Sequence, residues 1–144
     1  LIAVDTNILV YAYRRDSPQH VAAAGAVARL AEGAEPWAIP WPCVHEFLAF
    51  ATNQRLQSRP LPTDAALLQV EEWLRAPAIA LLAEGPGYAD ELSALLRSSG
   101  ATGGRVHDAR IAALCIYHGV SEFWTADRDF ARFPTLRTRN PLLS

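Results

Sequence analysis

Lysine and methionine are both missing from this chain of 144 residues. All 13 basic residues are therefore arginine. A genome rich in G and C favours that codon choice, and arginine is also the better fork for phosphate. The lack of methionine leads to the expectation that the original start has been trimmed. Cysteine is scarce: Cys43 and Cys115 have no metal-ligand spacing and read as small core residues of a reducing compartment. There is no excess of basic charge either. A formal net charge of −2 and a pI of about 6.1 exclude simple electrostatic capture of nucleic acid. They leave open chemistry in which bound metal brings an anion in. No apolar run approaches the ~20 residues that span a bilayer, and the N-terminus has no signal-peptide pattern. The expectation is a soluble, cytoplasmic protein with no membrane association.

What is present suits one domain over residues 1–144, since 51% of the residues are hydrophobic and supply a full core. The chain is organised around its first stretch. Ile2-Ala3-Val4 is a continuous apolar run, as in a strand buried on both faces of a parallel sheet. Asp5 closes it, and Thr6-Asn7 open a helix. In open α/β sheets chemistry gathers where strands end and helices begin. Asp5 therefore holds a hard cation or moves a proton, or it simply caps the following helix.

Further along, Ser17 is placed to cap a helix with Pro18 at its first position, running to about Glu32. Trp37-Ala38-Ile39 reads as a second strand, and Trp41-Pro42 starts a helix carrying Glu46. Asn53 to Pro62 is the most loop-like segment. Thr63 caps a helix in which Leu67, Val70 and Leu74 keep helical spacing. Ile79 to Leu82 is a third strand, and Tyr88, Leu92, Leu95 and Leu96 mark an amphipathic helix. Val106 to His118 is helical, with Asp108, Ile111, Ala112 and Cys115 on one stripe and Gly119 as a left-handed cap. Phe123-Trp124-Thr125 is a fourth strand and Leu136 to Asn140 a fifth, at an edge. Strands alternate with helices and no hairpin signal intervenes. The fold class is α/β, with a mostly parallel sheet of four to five strands and helices on both faces.

Four acids occupy comparable places. Asp5, Glu46, Asp108 and Asp127 all fall at strand–helix junctions, so a parallel sheet gathers them at its carboxyl edge. Helix N-termini favour ionised carboxylates by roughly 0.3–1 kcal/mol, which predicts that Glu46 and Asp108 stay deprotonated. Two carboxylates 4 Å apart repel by roughly 4 kcal/mol at an effective dielectric of 20. Four together call for Mg²⁺, or Mn²⁺, as a hard oxygen-seeking counter-ion. Such a metal activates water for in-line attack on phosphorus.

Asp5-Thr6-Asn7, Glu46 before Phe47, His107-Asp108-Ala109 and Thr125-Ala126-Asp127-Arg128-Asp129-Phe130 together resemble the PIN domain. More narrowly, they resemble VapC-type toxins of bacterial toxin–antitoxin pairs. The resemblance covers nearly the whole chain, down to Phe133-Pro134 and Asn140-Pro141-Leu142. It implies a three-layer α/β/α fold and a metal-dependent endoribonuclease acting on transfer or ribosomal RNA. It also implies a homodimer, and a VapB-type antitoxin that covers the acidic groove in a hetero-oligomer. Asp5, Glu46, Asp108 and Asp127 carry over as the catalytic and metal-binding quartet, with Thr6, Asn7 and Thr125 supporting them through hydrogen bonds.

Other residues have plainer readings beside functional ones. Asp129 is a fifth acid able by spacing to replace Asp127; the motif favours Asp127 and leaves Asp129 as a helix cap or arginine partner. His45 and His107 directly precede quartet members, and helix neighbours do not share a face, so contact with the metal is not expected. His20 and His118 read as solvent-exposed. Arg55 and Arg59 in the loop, with Arg105, Arg110 and Arg128 near the acids, are candidates for RNA phosphate as a group; Arg128 has the simpler option of pairing with its flanking aspartates. Trp37, Trp41, Trp73 and Trp124 read as core or dimer contact. Two rival functions stand beside the nuclease. One is a non-catalytic PIN-like module that binds RNA or protein, which has no use for four repelling carboxylates. The other is a phosphatase, which Asp5-Thr6-Asn7 disfavours because no second aspartate follows two residues on.

Overall fold

The computed structural model describes residues 1–143; Ser144, the last residue of the expected domain, lies outside the described residues. Its strands are β1 (Ile2–Val4), β2 (Trp37–Pro40), β3 (Ile79–Leu82), β4 (Glu122–Trp124) and β5 (Thr138–Arg139). The helices are α1 (Thr6–Tyr13), α2 (His20–Glu32), α3 (Trp41–Ala51), α4 (Thr63–Leu74), α5 (Tyr88–Ser99) and α6 (Arg105–Tyr117). A short 3-10 helix, Arg128–Arg132, precedes β5.

The strands form one sheet in the order β3-β2-β1-β4-β5, and every neighbouring pair is parallel. From β1 the chain steps outward through β2 to β3. It then crosses back to start β4 on the other side of β1. Right-handed crossovers place α1 to α4 on one face of such a sheet and α5 and α6 on the other. This is the three-layer α/β/α arrangement expected, and the point where the strand order reverses lies between β1 and β4.

Burial on both faces explains the unbroken apolar strands. Ala3, Val4, Trp37, Ala38, Ile39 and Phe123 are fully inaccessible to solvent. Against them lie Ile8 and Leu9 of α1, Ala23 and Ala26 of α2 and Phe47 of α3, equally buried. Each large apolar side chain so placed contributes about 1.5–3 kcal/mol. Phe47 also makes edge-on contacts with Tyr13 at 5.3 Å and Trp73 at 4.8 Å, tying α1, α3 and α4 together.

Helix α6 is more buried than the expected stripe. Ala109, Ala113 and Leu114 are inaccessible as well, because α5 covers one side and β2 lies under the other. Its end follows expectation: Gly119 has φ +69°, with Gly119 N–H to Ile116 O at 3.1 Å and Val120 N–H to Cys115 O at 2.9 Å. This is the paired C-terminal closure that a left-handed residue permits.

Two expected caps are absent. Ser17 Oγ accepts Gln19 N–H at 3.2 Å, making a turn ahead of α2, which begins only at His20. Thr63 is the first residue inside α4 and makes no capping bond; Pro62 occupies the cap position. His20 is half-buried, its Nδ1 3.0 Å from the Tyr11 carbonyl, whereas His118 is exposed as expected. Trp37, Trp73 and Trp124 belong to the core, while Trp41 is half-buried and stacks on His45 at 5.9 Å. Among the described residues no helix is long and apolar enough to cross a membrane.

Candidate active site

Strand register sets the centre of the site. Val4 pairs with Trp124 across β1 and β4, so the next residues, Asp5 and Thr125, meet at the carboxyl edge where the strand order reverses. Open α/β sheets bind ligands at that crevice. Both residues are buried, each only 4% exposed. Asp5 Oδ1 accepts Thr6 N–H at 2.7 Å and the Cys43 thiol at 3.6 Å. Oδ2 accepts Asn7 Nδ2 at 3.0 Å and Thr125 Oγ1 at 2.7 Å. Asp5 thus caps α1 as well as facing the crevice. Asn7 locks the junction further, its Oδ1 accepting Ala126 N–H at 3.0 Å. Burial dominates the electrostatics and pushes the Asp5 carboxyl up to about 6; the hydrogen bonds oppose this and the Glu46 charge adds to it.

Glu46 is exposed and accepts the Thr6 hydroxyl on Oε1 at 3.1 Å. It lies in the second turn of α3, beyond the reach of the helix-end charge invoked for it from sequence. Asp108 is in the first turn of α6, yet its carboxyl is pushed up rather than held down. Burial is the main cause, followed by the charges of Asp127 and Asp129; Arg105 and His107 oppose them. Burial, with the neighbouring acids, outweighs the helix end.

The acids form two groups. Asp108, Asp127 and Asp129 each bring a carboxylate oxygen within 4.8 Å of the others. Asp5 and Glu46, linked through Thr6, line the same cleft as Asp108 and Asp127. Asp127 provides the cap, accepting Asp129 N–H at 2.9 Å, while its own N–H donates to Thr125 Oγ1 at 3.0 Å. Asp129 pairs with Arg105 at 3.3 Å and still reaches the cluster. The donor set is all oxygen. Oxygens sharing one Mg²⁺ at about 2.1 Å are at most about 4.2 Å apart, so small side-chain rotations bring the three carboxylates to that spacing. The residues fit a hard divalent cation.

The cleft has a volume of about 640 Å³. Beyond the acids its walls are two helical stripes: Asn7, Val10, Tyr11 and Arg14 on α1 and beyond it, and Glu46, Ala49, Phe50 and Asn53 on α3 and beyond it. These spacings of three, four and seven are the legible signal that reading single motifs passed over. Arg14, paired with Asp16 at 3.3 Å, is one such missed residue. Cys43 is another. It stands three residues before Glu46, which puts both on one side of α3.

The arginines divide. Arg105 is engaged by Asp129 and Arg110 by Glu84 at 3.3 Å. Arg55, Arg59 and Arg128 are exposed and make no ion pair among the described residues, so Arg128 does not pair with its flanking aspartates. His45 and His107 are exposed and line, with Glu46 and Arg110, a separate hollow of about 220 Å³.

A parallel α/β/α sheet with carboxylates gathered at its switch point defines a class of acidic-cleft proteins suited to a hard cation. The family follows from comparison: the PIN domain model matches residues 2–136, and the chain belongs to the PIN domain family. It is 34% identical over 142 residues to the VapC ribonuclease Mb2897 of Mycobacterium bovis, covering 99% of this chain and 96% of that protein. Among solved structures it resembles VapBC2 from Rickettsia felis, bound to a promoter DNA fragment, with TM-score 0.69 and 18% identity over 96% of this chain and 97% of that one. It also resembles Mycobacterium tuberculosis VapC20, a sarcin–ricin loop cleaving toxin, with TM-score 0.64 and 16% identity over 91% and 93%.

Proposed function

We propose that the chain is a metal-dependent endoribonuclease, the toxin of a toxin–antitoxin pair, hydrolysing RNA phosphodiester bonds in its acidic cleft. The observation that carries this reading is the single cleft lined by Asp5, Glu46, Asp108 and Asp127 at the switch point of the sheet. The ribonuclease name of the 34% identical relative supports it. The quartet, with Asp129 beside Asp108 and Asp127, would hold Mg²⁺ or Mn²⁺, and that ion would supply charge neutralisation for the phosphate and a lowered pKa for water.

The chain's own residues do the rest. Thr125, Asn7, Thr6 and Cys43 occupy both oxygens of Asp5 and fix its carboxylate in place. Glu46 lines the cleft and takes one protein donor, on Oε1, which leaves carboxylate lone pairs free to accept the proton of the attacking water. The new P–O bond forms from that water, the P–O3′ bond breaks, and O3′ takes a proton from solvent. The products carry a 5′-phosphate and a 3′-hydroxyl, and the 2′-hydroxyl is not used.

Transfer or ribosomal RNA is the proposed substrate, in line with the sarcin–ricin loop cleavage named for VapC20. A VapB-type antitoxin, homodimeric assembly and a cytoplasmic location complete the reading, with residues 1–144 as one domain. Purified chain is tested on total cellular RNA with Mg²⁺, with EDTA and as Asp5→Asn, sequencing the new 5′ ends. A few discrete cuts that need both metal and Asp5 are expected; undiminished cutting by Asp5→Asn, cleared of contaminating nuclease, rejects the proposal.

A further inference from the structure

Arg14 lines two cavities. On one side is the acidic cleft; on the other is a hollow of about 410 Å³, bounded also by Arg15, Asp16, Gln57, Ser58 and Arg59. Three arginines face one aspartate there, in a chain whose formal net charge is −2. Only Arg14 is engaged, by Asp16 at 3.3 Å; Arg15 and Arg59 make no ion pair among the described residues.

The far wall is a built loop. Gln57 is 7% exposed and donates its side-chain amide to Phe50 O at 3.3 Å, while its N–H donates to Asn53 O at 3.1 Å. Leu61 N–H reaches Ala51 O at 2.8 Å, and Asn53 Oδ1 takes the N–H groups of Arg55 and Leu56 at 2.9 and 3.1 Å. The loop is thereby fastened to the end of α3, with Ser58 and Arg59 held opposite Arg14 and Arg15.

We propose that this arginine-lined cavity is a phosphate subsite, holding the backbone of the RNA strand that flanks the bond presented to the acidic cleft. The inference rests on the ribonuclease reading and adds where the strand lies. An acidic cleft repels a polyanion, and the chain has no overall positive field to offset that. Attraction must be local. Guanidinium forks bind phosphate with paired hydrogen bonds, and Arg14, which lines both, sets the two cavities side by side. A nucleic-acid strand carries a phosphate on every residue, so it meets the pocket whatever its sequence. An acidic peptide has no comparable reason to continue into a cleft of carboxylates.

The test is binding of labelled single-stranded RNA of random sequence to the full chain across a range of salt, in EDTA so that nothing is cleaved. For every phosphate the protein no longer neutralises, the slope of log affinity against log salt flattens by about 0.7. Arg15→Ala with Arg59→Ala is expected to weaken binding about tenfold and flatten the slope by about 1.4. Arg97→Ala, at an arginine lining none of these cavities, is expected to bind as wild type. Thermal melting checks that each variant is folded. An unchanged slope in the double variant overturns the subsite, and so does an equal loss in Arg97→Ala. Displacement of the RNA by polyglutamate of equal charge also overturns it, giving the pocket to an acidic protein instead. The two readings fail separately. A cleaving wild type with an unaltered double-variant slope loses only the subsite, whereas a flattened slope in a chain that never cleaves keeps the subsite and loses the nuclease.

Discussion

Thr125 donates its hydroxyl to Asp5 Oδ2 at 2.7 Å, joining residues 120 positions apart at the ends of adjacent parallel strands. Thr125 Oγ1 in turn accepts Asp127 N–H at 3.0 Å, so one hydroxyl ties Asp5 to the segment carrying Asp127. Thr125→Val keeps the shape and removes these bonds together with the one from Asn7 Nδ2 at 3.3 Å. A buried acceptor left short of a partner costs about 1–3 kcal/mol, and urea denaturation should show a loss of that size. In the wild type the Thr125 bond lowers the Asp5 carboxyl, so in the variant the acid limb of the cleavage pH profile should move upward. Thr125→Ser should restore both properties.

The Asp5 carboxyl gives a signed pH dependence. Its value is raised from 3.8 to about 6, so between those values the folded state binds more protons than the unfolded state. Stability from this group is therefore greatest at low pH and falls as pH rises through about 6. The loss is roughly 3 kcal/mol in metal-free protein, from about two pKa units at 1.36 kcal/mol each. Roughly half of it, about 1.4 kcal/mol, falls between pH 5 and pH 8, so denaturation in EDTA at those two values should show that difference, and Asp5→Asn should show a smaller one. A steeper loss in Asp5→Asn would reject the assignment.

Strand termini and motif acids were legible because each depends on local pattern. Ile2 to Val4 reads as a buried strand from three residues, and Asp5 follows as its end. The electrostatics of Asp108 was not legible. A helix start argues for easy ionisation, but tertiary burial decides the direction, and Asp127 and Asp129, arriving from a segment about twenty residues further on, add to it. Ser17 and Thr63 misled for a related reason: a capping residue in sequence has several bonds open to it, and Ser17 used its oxygen on a turn. Which carboxylates cluster closely depended on side-chain reach, so the grouping of Asp108, Asp127 and Asp129 emerges only in three dimensions.

Cys43 is fully buried with its thiol 3.6 Å from Asp5 Oδ1. Burial, with the Asp5 charge beside it, holds the thiol well above its ordinary value, so it remains a neutral donor. Cys43→Ser supplies a stronger donor in nearly the same volume and should lower the Asp5 carboxyl. Cys43→Ala removes the donor and should raise it. Carbon-13 NMR titration of Asp5 reads both shifts, and shifts of the same sign in both variants would remove Cys43 from any role in holding the carboxylate.

Arg105 competes with a cation for the aspartate cluster. Its guanidinium lies 3.3 Å from Asp129, with both side chains partly exposed at 37% and 52%. An exposed pair of this kind contributes only about 0.2–1 kcal/mol, so Arg105→Ala should leave the melting temperature nearly unchanged. The same substitution frees Asp129 and removes a positive charge near Asp108. Divalent cation binding should then tighten by roughly 1.4- to fivefold, an order-of-magnitude figure from the same ~0.2–1 kcal/mol. Asp108→Asn should weaken binding instead, since it removes one of the three carboxylates within 4.8 Å. Calorimetry with Mg²⁺ and Mn²⁺ compares the two variants. Weaker binding in Arg105→Ala would show that the arginine organises the cluster rather than competing for it.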